Sequence, residues 1–291
     1  MRSTRHLVPL VAVLALAASA CGSSSSPAKH TIGKAEAPLA GLLPKAIRDK
    51  GTLVVGSDVA YAPVEFYGPD GTTIMGIDPD LGAAIGTQLG VTLKFVNGTF
   101  DGLITQLTSK RIDLVMSALS DTKERQGKID FVDYFRAGTS ILVAKGNPKS
   151  IKTLDDFCGK TIALQRGTTQ DDVAKAQVKK CSATGKKLTV LSFDKDTEAL
   201  LQVKSGRAVG DLNDFPVAAY NAKTSSGAFE VVGDQIEAGP YGIGLRKTDA
   251  ELRGVLQKAV QALIANGEYA KILQKWNVSQ GAVTTAVVNG G

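Results

Sequence analysis

The chain has 291 residues, 43% hydrophobic and 21% charged, enough to bury one large core or two modest ones. Its net charge of +6 arises from 34 basic and 28 acidic residues, with no Lys/Arg run of five and no basic stretch interleaved with aromatics, so nucleic-acid binding is unsupported. The only histidines are His6 and His30, which excludes an ordinary zinc site, and no cofactor or metal is expected.

Arg2 and Arg5 precede an apolar run from Leu7 to Ala20, 14 residues interrupted only by Pro9 and Ser19. A membrane span needs about 20 apolar residues. This run instead has the length and basic flank of a signal-peptide core. Small residues then lead into a cysteine, and Ala18-Ser19-Ala20-Cys21 resembles a bacterial lipobox, with Ala18 where Leu is commoner. The resemblance implies a signal peptide over 1–20, lipidation of Cys21 and a flexible Ser-rich linker over 21–44. Cleavage would remove two of the 34 basic residues and leave +4 against 28 acidic ones. With Cys21 acylated, Cys158 and Cys181 remain as a pair that an oxidising compartment would join.

From Gly51 onward, short apolar runs alternate with helical patterns. Thr52–Gly56 reads as a buried strand. Asp78 and Pro79 read as the N-cap and first turn of a helix, with Leu81, Ala84, Ile85 and Leu89 on one face and Gly90 stopping it. A strand at 91–96, a helix around Leu103, Ile104 and Leu107, and a strand at 112–117 follow. After Asn147-Pro148 the alternation restarts: strand 161–164, helix 171–180, strand 188–191, helix 197–204, strand 209–212, helix 216–221 and strand 229–232. Tyr241–Leu245 precedes two closing helices, 249–265 and 269–276. Strand–helix–strand order means parallel sheets covered by helices, an α/β class built from two similar units.

Open α/β sheets bind ligands at the carboxyl ends of their strands. Those ends carry G-S-D-x-x-Y-A-P-x-E-F from Gly56, F-D-G-L-I-x-x-L from Phe100, I-D-L-V-M-S from Ile112, T-K-E-R-Q from Thr122, and Leu164-Gln165-Arg166-Gly167-Thr168-Thr169-Gln170. With G-I-D-P-D-L from Gly76 and a closing K-I-L-x-K-W ending at Trp276, the ordered set resembles the polar amino-acid-binding proteins of ABC importers, solute-binding protein family 3. Val64 and Val209 depart from that pattern, where Phe and Asp are common.

The resemblance implies a two-lobed, periplasmic-binding-protein-like type II fold, each lobe a mostly parallel sheet flanked by helices. Lobe 1 would take 45–142 and 240–277, lobe 2 would take 143–239, and 278–291 would be a flexible tail. Two hinge strands would fall near Ile141–Lys145 and Gly239–Gly244. By position, Arg125 would grip a ligand α-carboxylate, a match of planar fork to carboxylate. Asp214 would accept the α-ammonium. Thr168, Thr169 and Gln170 open a helix whose free amides attract an anion. Ser120 would offer its hydroxyl, Ser117 and Ala118 mostly backbone, and Tyr61 and Phe100 two flat faces for the ligand side chain. Asp58 is the specificity candidate, facing a basic tail, although glutamine binders can carry an acid there too; Arg166 could favour an acidic side chain but is expected in solvent.

These readings make the chain a monomeric, non-enzymatic lipoprotein on the outer face of the cytoplasmic membrane. It would capture a polar L-amino acid, basic or of the Gln/Glu type, and deliver it to ABC importer permease subunits. The alternatives are a dehydratase-like enzyme on the same fold, for which Glu65 is the only acid to nominate, and a ligand-sensing partner protein.

Overall fold

The computed structural model describes residues 37–291. The expected signal peptide, Cys21 and most of the 21–44 linker therefore lie outside the described residues. Among the described residues, no helix is long and apolar enough to cross a membrane.

In chain order the first half holds α1 (Lys45–Lys50), β1 (Thr52–Ser57), three short strands β2 (Ala60–Tyr61), β3 (Glu65–Tyr67) and β4 (Ile74–Met75), α2 (Ile77–Leu89), β5 (Thr92–Asn97), α3 (Leu103–Thr108), β6 (Leu114–Val115) and α4 (Lys123–Gln126). The long β7 (Asp130–Ala144) leads to β8 (Thr161–Gln165), α5 (Thr169–Ala183), β9 (Thr189–Phe193), α6 (Asp196–Lys204), β10 (Asp211–Asp214) and α7 (Phe215–Thr224). The long β11 (Phe229–Leu245) returns, followed by α8 (Ala250–Ala265) and α9 (Glu268–Lys275).

Eight strands form one sheet in the order β5-β1-β6-β11-β7-β10-β8-β9. β1 is parallel to β5 and β6, and β8 is parallel to β9 and β10. Between these parallel halves runs the antiparallel pair β7/β11. The fold is thus the type II periplasmic-binding-protein architecture, α/β with mostly parallel strands flanked by helices.

Periodicity explains the layers. Ile77, Leu81, Ile85 and Leu89 recur every four residues on α2 and are fully buried, as are Leu256, Ala259, Val260 and Leu263 on α8. Both helices feed one core with Val55, Leu114, Tyr134 and Tyr241. A second group, from Ile141, Val143, Ile162, Leu164, Val173 and Leu212, forms the core of the other half. A disulfide joins Cys158 to Cys181 there, tying the approach to β8 to the far end of α5. Closing a loop of that size stabilises by about 3 kcal/mol in the chain-entropy account.

Four expectations need correction. α2 starts at Ile77 after Gly76, so Asp78 is not its cap. The Asp78 carboxylate is buried and accepts from Tyr134 Oη (2.6 Å) and the Ala118 amide (3.2 Å). Ile141–Lys145 is not where β7 changes halves: Ala137 packs in the first core, but Ile141 and Val143 already pack in the second. On β11 the change falls between Ile236 and Tyr241. Residues 37–44, expected in the linker, are packed: Leu43 is 2% exposed and the Leu39 amide donates to Gln88 O. The tail is not frayed either. Val278 and Ala286 are buried, and Val288 bridges Val132.

Candidate functional site

Where the carboxyl ends of the strands from both halves face each other lies a narrow, nearly closed cleft. Asp58, Tyr61, Phe100, Ala118, Ser120, Arg125, Thr168, Thr169, Gln170 and Asp214 line it, ten of the eleven positions expected. Glu65 and Gln165 line it as well.

The first-half wall is fixed from behind. Ser117, the eleventh expected residue, is fully buried beneath the cleft instead of in it. Its Oγ donates to Glu65 Oε1 and accepts from the Asp58 amide, both at 2.9 Å. Burial, then the charge of Asp78, pushes the Glu65 carboxyl well up. Ala118 takes a left-handed backbone, φ 44°, pinned by its amide's bond to Asp78. Such conformations cost about 1–3 kcal/mol and persist only where the surroundings impose them.

Arg125 sits on the short α4, whose N-cap Thr122 accepts its amide. Its guanidinium donates to Ser120 O (2.9 Å) on its own side and to Gly167 O (3.1 Å) across the cleft. It also stacks over Phe100, 5.5 Å from the ring centre. Phe100 therefore backs the arginine as well as offering a face to the cleft. Burial pulls the guanidinium below its ordinary pKa, opposed chiefly by the charge of Asp214.

The second-half wall is the N-terminus of α5 and the end of β10. Thr168 caps α5 by accepting from the Asp171 amide and donates to Gln165 O, so its hydroxyl is committed within the loop. Thr169 and Gln170, the first residues of α5, line the cleft at the positive end of the helix. Asp214 accepts from Gln170 Nε2 (3.0 Å) and from Tyr61 Oη (2.9 Å), and its own amide donates to Tyr61 Oη. Tyr61 thus reaches across to Asp214 in addition to presenting its ring. Burial raises Asp214 to about 6, with Tyr61 and Gln170 pulling it back down.

Asp58 is 3% exposed and accepts from Gln165 Nε2, which also donates to Asp194 O. Burial pushes its carboxyl up to about 6, partly offset by Gln165 and Lys195. Arg166 points to solvent, half exposed and paired with Asp194 at 2.9 Å. Gln165 was detectable as the last residue of β8, at the strand end where ligands bind. Glu65 was missed as a lining residue because sequence spacing does not show that its carboxyl meets Ser117, 52 residues away.

Chemically, the cleft brings one cation, two ionisable carboxyl groups and a helix N-terminus together.

A model of the bacterial extracellular solute-binding proteins, family 3, matches residues 53–279. The chain is 30% identical over 250 residues to the arginine-binding protein ArgT of Corynebacterium glutamicum, covering 85% of this chain and 81% of that one. It is 30% identical over 237 residues to the L-cystine-binding protein TcyJ of Escherichia coli, covering 81% and 86%. Among solved structures, an ancestral arginine-binding protein bound to arginine superposes with TM-score 0.72 and 37% identity, covering 78% of this chain and 98% of that one. All three are named as binding proteins, and the chain is a solute-binding protein, not an enzyme.

Proposed function

The chain belongs to family 3 of the bacterial extracellular solute-binding proteins, and from that premise we propose that it captures a basic L-amino acid, of the arginine class, in the interlobe cleft and delivers it to an ABC importer. The observation that carries the substrate class is the pairing of charges. Arg125 and the α5 amides suit an α-carboxylate, Asp214 suits an α-ammonium, and Asp58 is a second, separate buried carboxylate beside Gln165. A glutamate side chain would meet the charge of Asp58. A cationic tail satisfies it. The arginine-binding names of two relatives support the same class.

The ligand bridges both walls and so favours the form in which they touch. Its closing effect equals its differential affinity for that form. The membrane subunits of the importer would read closure. In this proposal the protein is a monomer held at the outer face of the cytoplasmic membrane through Cys21. Cys21→Ser should release it from the membrane fraction; continued fractionation with membranes would remove the anchor from the account.

Calorimetric titration with L-arginine, L-lysine, L-glutamine and L-glutamate tests the substrate class. Arginine or lysine should bind tightest, and Asp58→Asn should cost the basic ligands at least tenfold while sparing glutamine. Tightest binding of glutamate, or equal losses for all ligands in Asp58→Asn, would reject it.

A further inference from the structure

Arg125 rides on an element that cannot hold itself. α4 has only four residues and buries none of them. A single turn gains too few backbone bonds to offset the entropy of ordering it. Something else must keep the guanidinium in register with the cleft.

That something is the segment that follows α9. After α9, residues 282–291 run back across the first half. The Val283 amide donates to Tyr269 Oη, and Ala286 is held on both sides by Gln257 and Gln261 of α8. The Asp133 amide donates to Val287 O, Val288 bridges Val132, and Asn289 Oδ1 accepts from the Phe131 amide. The Gly290 amide donates to Asp133 Oδ2 and the Gly291 amide to Asp121 Oδ2, each at 3.0 Å. Gln126 Nε2 then donates both to Gly291 O (3.3 Å) and to Asp121 Oδ1 (2.8 Å).

Asp121 and Gln126 bracket Arg125. Asp121 follows Ser120, whose carbonyl accepts from the Arg125 guanidinium, and Gln126 follows Arg125 itself. The dock is shaped for bare backbone. A Cβ on Gly290 would stand 2.6 Å from Asp133 Oδ2, and one on Gly291 would collide with the Asp121 carbonyl.

We propose that residues 286–291 are a positioning strap, with Asp121 and Gln126 the positioning residues, that fixes Arg125 for recognition of the ligand carboxylate. This rests on the reading of Arg125 as the carboxylate-binding group. A strap that merely stabilised the lobe would change unfolding but not ligand discrimination.

The test compares the intact chain with a chain lacking 288–291 and, separately, with Gly290→Val, which ejects the strap without shortening it. The probes are L-arginine and L-argininamide, whose carboxylate is replaced by a neutral amide. Hydrogen exchange of the 122–126 amides is followed alongside. The intact chain should prefer arginine at least tenfold. In both variants that preference should shrink at least threefold, and exchange at 122–126 should quicken while β8 and α5 stay as protected as before. Unchanged discrimination or unchanged local exchange in the variants overturns the strap. An intact chain that does not prefer arginine over its amide overturns the role of Arg125, and the strap's ligand role with it.

Discussion

The two walls of the cleft are built on opposite plans. On the first-half wall three backbone positions are fixed from behind by their own lobe: Ser117 holds the Asp58 amide, Asp78 holds the Ala118 amide, and Thr122 holds the Arg125 amide. On the second-half wall several groups lean across the cleft. Gln165 rests on Asp58, the Gly167 carbonyl accepts from Arg125, and Asp214 takes the Tyr61 hydroxyl. The contrast teaches that recognition and closure are divided. The second-half wall keeps bonds of its own, Thr168 to Gln165 O and Gln170 to Asp214, and adds the cross-cleft partners when the lobes come together.

The largest effect should separate the walls directly. Arg125→Ala removes a half-buried cation and its cross-cleft bond, and should weaken arginine binding by about a hundredfold or more, the scale for losing one partner of a charged pair formed with the ligand. Gln170→Ala on the opposite wall removes a neutral donor to Asp214 and Thr139, and should cost about tenfold. Calorimetry on both variants checks this, and equal losses would break the asymmetry.

A smaller effect sharpens it through pH. Asp58 and Asp214 are each raised by burial to about 6 in the unliganded protein. A raised acid stabilises the fold below its unfolded pKa, and that contribution is lost as pH rises through about 6. The unliganded thermal midpoint should therefore drift down, from these groups, between pH 4 and 7. A cationic ligand needs both carboxylates ionised, so its affinity should be level above pH 7 and fall below about 6, by at most tenfold per unit for each carboxylate. Asp58→Asn should flatten that fall by one proton. An affinity profile level from pH 4 to 7 would detach both acids from ligand binding.

How much of this was legible beforehand varies by element. Strand and helix order was readable because apolar spacing is local: Leu81, Ile85 and Leu89 declare a buried face without any partner being known. Placement of β7 was not. Its run from Asp130 to Ala144 is almost wholly buried, so no alternation marks where it passes from one core to the other. Ten of eleven expected positions line the cleft because strand ends are where side chains from separate segments converge. Ser117, expected to offer mostly backbone, turns its hydroxyl to Glu65, a partner 52 residues away that no local pattern shows.

By itself, then, the sequence determined the α/β order, the spacing of the strand-end motifs and the chemistry available there, since each depends on residues near one another in the chain. Only the tertiary structure decided which groups are committed to one another. Asp58 meets Gln165 107 residues away, Tyr61 meets Asp214 across 153, and Gly291 meets Asp121 across 170. Those pairings follow from how the sheet brings distant strand ends together and from desolvation at the resulting contacts, and no local pattern encodes them.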